Sequence, residues 1–151
     1  MAVVKPLAGN QFYLLIGDGG GSEVFTFLCP VDTISSKHTN DSESAYVADC
    51  ADPTVLPVEV ITAKYRSWMV TLSGLCDPTK APYVRLKSVS RSASPFISMQ
   101  LNKALSGANG GEIEQASFYI QDFTEDKAAH GLVKFSASLK SNGAVTITPN
   151  A

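Results

Sequence analysis

The residues best suited to chemistry in this chain are few and widely scattered. Gly17-Asp18-Gly19-Gly20-Gly21-Ser22 has the glycine density of a phosphate cradle. Such a cradle needs a helix N-terminus directly after it, whose free N–H groups receive the anion. Here Val24, Thr26 and Leu28 alternate with Phe25 and Phe27, which reads as a strand, so the glycines are expected to turn a hairpin. The two imidazoles, His38 and His130, have no GxSxG elbow to activate, and nothing points to a Ser/His/Asp triad. Glu112, Glu114, Asp122 and Glu125 could pair for hydrolysis, but they fall at strand edges and turns, where solvated carboxylates are ordinary. Cys29, Cys50 and Cys76 form no CxxC pair, and only His38 and His130 could join them, so no zinc site is expected. The three cysteines read as reduced thiols; inter-subunit disulfides formed outside a reducing cell are the other reading. No catalytic residue, cofactor or metal is expected.

The elements that would carry these residues are mostly strands. Trp68, Val70 and Leu72 alternate with Ser67, Thr71 and Ser73, and Ile97, Met99 and Leu101 with Phe96, Ser98 and Gln100. Phe118 and Ile120 oppose Tyr119 and Gln121; Val133, Phe135, Ala137 and Leu139 oppose Lys134, Ser136, Ser138 and Lys140. A period of two is the mark of a strand with one face on a core. Asn109-Gly110-Gly111 precedes another strand, and Asn142-Gly143 reads as a turn joining the last two, Val133–Leu139 and Ala144–Thr148. The expected fold is mainly β, a sandwich or barrel of about seven strands in one domain over residues 1–151.

Two segments depart from this period. Residues 35–57 are polar, carry Pro53 and Pro57, and read as a long inter-strand loop. Residues 78–92 read as a short flanking helix, with Pro82 in its first turn and Tyr83, Leu86 and Val89 three apart. Charge divides along the same lines. Between Pro78 and Gly111 the chain has Lys80, Arg85, Lys87, Arg91 and Lys103 and no acid; the long loop has Asp41, Glu43, Asp49 and Asp52 against Lys37. Both are solvated faces, or else one subunit's acidic loop docks near a neighbour's basic segment.

Composition sets the outer bounds. Of 151 residues 44% are apolar and 17% charged, with a net charge of −2, which disfavours a dedicated nucleic-acid binder. No apolar run reaches the length of a membrane span, and Met1 to Asn10 lacks the basic start and long apolar middle of a cleavable leader, so synthesis in the cytoplasm is expected.

Taken in order, the features resemble the tail tube (major tail) proteins of tailed phages from about Phe12 onward. An early glycine turn leads into Val24-Phe25-Thr26-Phe27. Ser35-Ser36-Lys37-His38-Thr39-Asn40, Tyr46-Val47-Ala48-Asp49 and a long loop come next. The long strand from Arg66 to Gly74, the helical segment, and the strands Phe96–Leu101, Ala116–Phe123, Val133–Leu139 and Ala144–Thr148 complete the order. Where the family often has a Trp and a Gly before the long strand, this chain has Val55-Leu56-Pro57-Val58.

The resemblance implies a non-enzymatic virion protein assembled in the host cytoplasm. Its copies would form six-membered rings stacked into a tube, the conduit for genome ejection. Implied partners are further copies of itself, a tape-measure protein, tail-tip and terminator proteins, and a sheath if the tail contracts; DNA would transit without specific binding, and no membrane is involved. Asn40, Asp41, Glu43, Tyr46, Asp49 and Asp52 are then candidates for the inter-ring loop contact, and Lys80, Arg85, Lys87 and Arg91 for the basic surface. Ser98, Gln100, Ser117, Tyr119 and Gln121 are candidates for the lumen wall, which should be polar or acidic to release phosphate. The alternative is a monomeric carbohydrate-binding β-sandwich with Trp68 or the tyrosines as sugar platforms.

Overall fold

Each alternating segment has one apolar row, and burying those rows on a common face makes one sheet. The computed structural model describes residue 4 and residues 6–29, 31–127 and 129–151. Met1 to Val3 and Lys5, part of the stretch read for a leader, lie outside the described residues. The strands are β1 (Phe12–Gly17), β2 (Phe25–Phe27), β3 (Val31–Val47), β4 (Val58–Leu75), β5 (Phe96–Lys103), β6 (Glu112–Asp126) and β7 (Lys134–Pro149). One helix, α1 (Ala81–Ser90), connects β4 to β5. The strands form a single seven-stranded antiparallel sheet in the order β2-β1-β5-β6-β7-β4-β3.

This is the mainly β chain expected, but its layers come from one sheet that rolls over without closing. His38 on β3 and Glu114 on β6 are three strands apart in that order, yet their side chains meet at 3.2 Å. A flat sheet would hold them about 14 Å apart. Inside the roll, Trp68, Val70 and Leu72 face Ile97, Met99, Leu101, Phe118 and Phe135 in one cluster. Helix α1 adds the buried Tyr83 and Leu86, has Pro82 in its first turn and no side-chain cap at Lys80, and is followed by the C-cap Arg91. Tyr83 meets Phe135 edge-on with ring centroids 5.1 Å apart, which fastens the helix to β7.

Two expectations need correction. Residues 35–47 are not loop: they are most of β3, paired residue by residue with β4 from Ser35↔Thr71 to Val47↔Val58. Only residues 48–57 turn the hairpin. Their polarity misled because Ser36 and His38 meet the core through polar side chains and, from Ser42 onward, neither face of β3 meets it, so no apolar alternation was required. Likewise Asn142-Gly143 does not join two strands. It lies within β7 at a bulge, where the pairing with β6 jumps from Ser117↔Asn142 to Gln115↔Thr146. Gly143 takes φ +86° there, a conformation that only glycine adopts without strain.

The bulge coincides with a fork. Up to Lys140, β7 pairs with both β6 and β4; beyond it β7 stays with β6, while β4 before Met69 pairs with β3 alone. The distal β3–β4 hairpin therefore leaves the domain as a two-stranded arm, and every residue from 42 to 66 is exposed. The accessible surface is 9985 Å², against about 7,400 Å² for a compact monomer of this size.

Candidate functional site

The arm is the feature in need of a role, because a lone two-stranded ribbon is marginal in water. Its sequence makes matters worse. An extra residue at Lys64 shifts the register between Asp41↔Tyr65 and Ser42↔Ala63. The shift places the pairs Val47/Val58 and Ala45/Val60 on one face and Ser44/Ile61 and Tyr46/Glu59 on the other. Tyr46, Val58, Ile61 and Tyr65 are all more than half exposed. Apolar side chains on both faces are the pattern of a strand covered on both sides.

The six acidic-loop candidates are spread along this arm. Asn40 and Asp41 lie at its root opposite Arg66 and Tyr65, and Glu43 and Tyr46 stand midway. Asp41 hydrogen-bonds the Tyr65 phenol and holds it above its usual 10.0. Asp49 and Asp52 sit in the tip, accepting from the backbone N–H groups of Ala51 at 2.9 Å and Thr54 at 3.0 Å. The Thr54 hydroxyl also donates to Asp52, keeping that carboxyl below its usual 3.8.

Two of the four basic candidates are committed within their own chain. Arg85 donates to the Gly17 carbonyl at 2.6 Å and lies beside the Asp18 turn. Lys87 bonds Glu125 at 2.6 Å and holds that carboxyl below its usual 4.5, with Arg91 adding to the effect. Lys80 stands near Asp77. Of the four, Arg85 and Lys87 are therefore engaged within the chain, while Lys80 and Arg91 are exposed.

Four of the five lumen candidates share a face. Ser98↔Ser117 and Phe96↔Tyr119 are direct cross-strand pairs, and Gln100 pairs Gln115, all on the side opposite the core. The same face continues through Asn142, Thr146, Ser138 and Thr71 on β7 and β4, a broad surface of amides and hydroxyls that also carries Lys140 opposite Tyr119. Gln121 departs from it. A register shift between Ile120 and Asp122 turns it toward the helix, into a cleft with Lys87, Arg91 and Glu125.

Cys29 and Cys50 are exposed, Cys50 in the arm tip, and Cys76 is half-buried; all three are free. Trp68 is 1% exposed, so it is core and not a sugar platform.

Sequence reading missed one polar cluster. Glu114 is buried at the open mouth of the roll, bonded to His38 at 3.2 Å and paired with Lys103 at 3.3 Å. Lys103 also binds Glu112 at 3.0 Å, and Glu112 more than Glu114 holds the ammonium above its usual 10.5. His38 stacks on Trp68 with centroids 5.1 Å apart. The partners are remote in sequence, His38 and Glu114 by 76 positions, so no local pattern reveals them. Lys103→Met should cost about 2 kcal/mol by leaving two carboxylates side by side, less than a fully buried pair because Lys103 is partly solvated. Adding Glu114→Leu should recover part of that loss in chemical denaturation. A folded-state pKa raised above the unfolded value stabilises below about 10.5, so the Lys103 contribution should fade as pH climbs through that raised value. Additive losses in the double variant would contradict the pairing.

Among the described residues no group of three or more His, Cys, Asp or Glu is placed to hold a metal ion. The rolled antiparallel sheet with an open edge, a flanking helix and a projecting hairpin is a fold shared with chains of solved tail structures. A chain in the tail of an empty gene transfer agent particle, refined with helical C6 symmetry, superposes with a TM-score of 0.74 at 15% identity, covering 93% of this chain and 98% of that one. A chain in the virion of the native gene transfer agent particle gives 0.74 at 12% identity, with the same coverage. A chain of the SPP1 tail tube gives 0.70 at 13% identity, over 96% of this chain and 80% of that one. No protein-family model and no curated protein matches the sequence.

Proposed function

We propose that this chain is a structural tail-tube subunit, polymerising as six-membered rings that stack into a hollow conduit for DNA. The observation that carries the reading is the arm, which is exposed over residues 42–66 and apolar on both faces. The excess of surface, 9985 Å² against about 7,400 Å², is of the size that permanent interfaces bury. A second copy offers what the arm needs without a dedicated partner, and head-to-tail contacts that do not close generate a tube. The six-fold symmetry of the gene transfer agent tail supports rings of six.

The face around Ser98, Gln100, Ser117 and Tyr119 suits the lumen, because its hydroxyls and amides hold a sliding phosphate backbone only weakly and its Lys140 shares the face with Asp122. On this reading the protein resides in the virion tail after assembly in the host cytoplasm. A tape-measure protein fills the bore, tip and terminator proteins bound the ends, and a sheath surrounds a contractile tail. Electron microscopy of the purified protein over a concentration series tests the proposal. Rings or tubes with six-fold symmetry are expected; a particle that stays monomeric at every concentration, above all one that binds glycans, would overturn it.

A further inference from the structure

The arm is electrically polarised along its length. Beyond its root, from residue 42 to 63, it has Glu43, Asp49, Asp52 and Glu59 and no lysine or arginine, whereas its root has Lys37, Lys64 and Arg66 against Asp41. The tip is also apolar: Val55 is 46% and Leu56 84% exposed, held between Pro53 and Pro57. Two prolines restrict this loop before it binds anything, so little freedom is lost on docking.

The fork at the root offers a matching hollow. Where β4 and β7 part, a cleft of about 430 Å³ opens between Arg66, Trp68, Ala144, Val145 and Ile147. Its walls combine the apolar Trp68, Ala144, Val145 and Ile147 with the polar Asn40, Ser67 and Ser141, and Arg66 and His38 also line it. Two unpaired strand edges flank it, β4 before Met69 and β7 after Lys140, each able to take an extended segment. Knob and hollow are separated by the ribbon from Val58 to Arg66, roughly 26 Å at the usual rise per residue. One arm therefore cannot fill its own cleft.

We propose that the arm tip, residues 49–57, seats in the cleft between β4 and β7 of a second copy, with Val55 and Leu56 inward and Asp49 and Asp52 facing Arg66. This rests on the self-assembly reading and names the surface at which it occurs. The contact joins two different patches, so each copy gives a tip and receives one, and the chain of contacts propagates. It also explains why the acidic arm does not need α1, whose Arg85 and Lys87 are engaged at home.

Charge reversal tests it, with assembly of the full-length protein followed by sedimentation. Arg66→Glu should raise the concentration needed for tubes at least tenfold, and adding Asp49→Lys and Asp52→Lys should restore most of it. If wild type forms tubes and Arg66→Glu forms them equally well, or the triple variant stays defective while remaining folded by circular dichroism, the docking site is wrong. If wild type itself never assembles, the tail-tube reading fails first. An independent readout uses Cys50 of the tip with Ala144→Cys in a Cys29→Ser, Cys76→Ser background. Mild oxidation of assembled tubes should give a ladder of covalent oligomers on a non-reducing gel, and tubes that give no more than Cys50-only dimers would equally refute the contact.

Discussion

Replacing residues 42–64 with Asn-Gly, so that Asp41 and Tyr65 flank a two-residue turn, should yield a protein that folds and does not polymerise. Asp41 and Tyr65 are already cross-strand partners, and Asn-Gly is the preferred sequence for a two-residue hairpin. The excised stretch contributes no buried residue: the core runs from Leu14 to Leu139 without a member between 42 and 64. Removing a ribbon that is marginal by itself should leave the thermal midpoint within a few degrees. Removing the element proposed to reach a neighbour should raise the concentration required for tubes at least hundredfold, about 2.8 kcal/mol per contact. Circular dichroism reads the first effect, sedimentation velocity with negative-stain microscopy the second. Long tubes from the shortened chain would sink the assignment of the arm to assembly.

What was legible in the sequence is what the core imposes. Trp68, Val70 and Leu72, then Ile97, Met99 and Leu101, then Phe135, Ala137 and Leu139 declare themselves because burial on one face demands a period of two. Tyr83 and Leu86 mark α1 in the same way at a helical spacing. The distal part of β3 was invisible for the converse reason. Ser42 to Val47 pair as a strand without facing a core, so alternation, which reports burial and not hydrogen bonding, is absent. Gly143 was ambiguous in kind: a tight turn and a bulge both require positive φ, and the sequence announces only the requirement. The proposed assembly surface was half legible. Charge along the chain located the acidic arm, but whether Arg85 and Lys87 were free depended on Gly17 and Glu125, groups brought beside them only by folding. The Glu114 cluster and the cleft at the fork needed the roll of the sheet itself.

Trp68→Ala should be the most destabilising single substitution in the chain, at about 3–5 kcal/mol. The indole is 1% exposed and meets Phe118 edge-on at 4.9 Å between centroids. Its N–H donates to Ser36 Oγ at 2.7 Å, and its face stacks against His38. Ser36 and His38 belong to β3, the outermost strand, so one side chain ties that edge to the middle of the core. Truncation leaves a cavity, strips Ser36 of its donor and frees His38, which in turn holds Glu114. For a domain of this length the midpoint should fall by roughly 10 °C. Trp68→Phe should lose less, because it keeps most of the buried area and only the hydrogen bond goes, a matter of about 1–2 kcal/mol. The order of the two variants in a thermal melt separates this role from that of a ligand platform. A sugar-stacking tryptophan could be truncated with the midpoint unchanged and only binding lost, whereas a tryptophan that anchors the root of the arm must lower the midpoint and weaken assembly together.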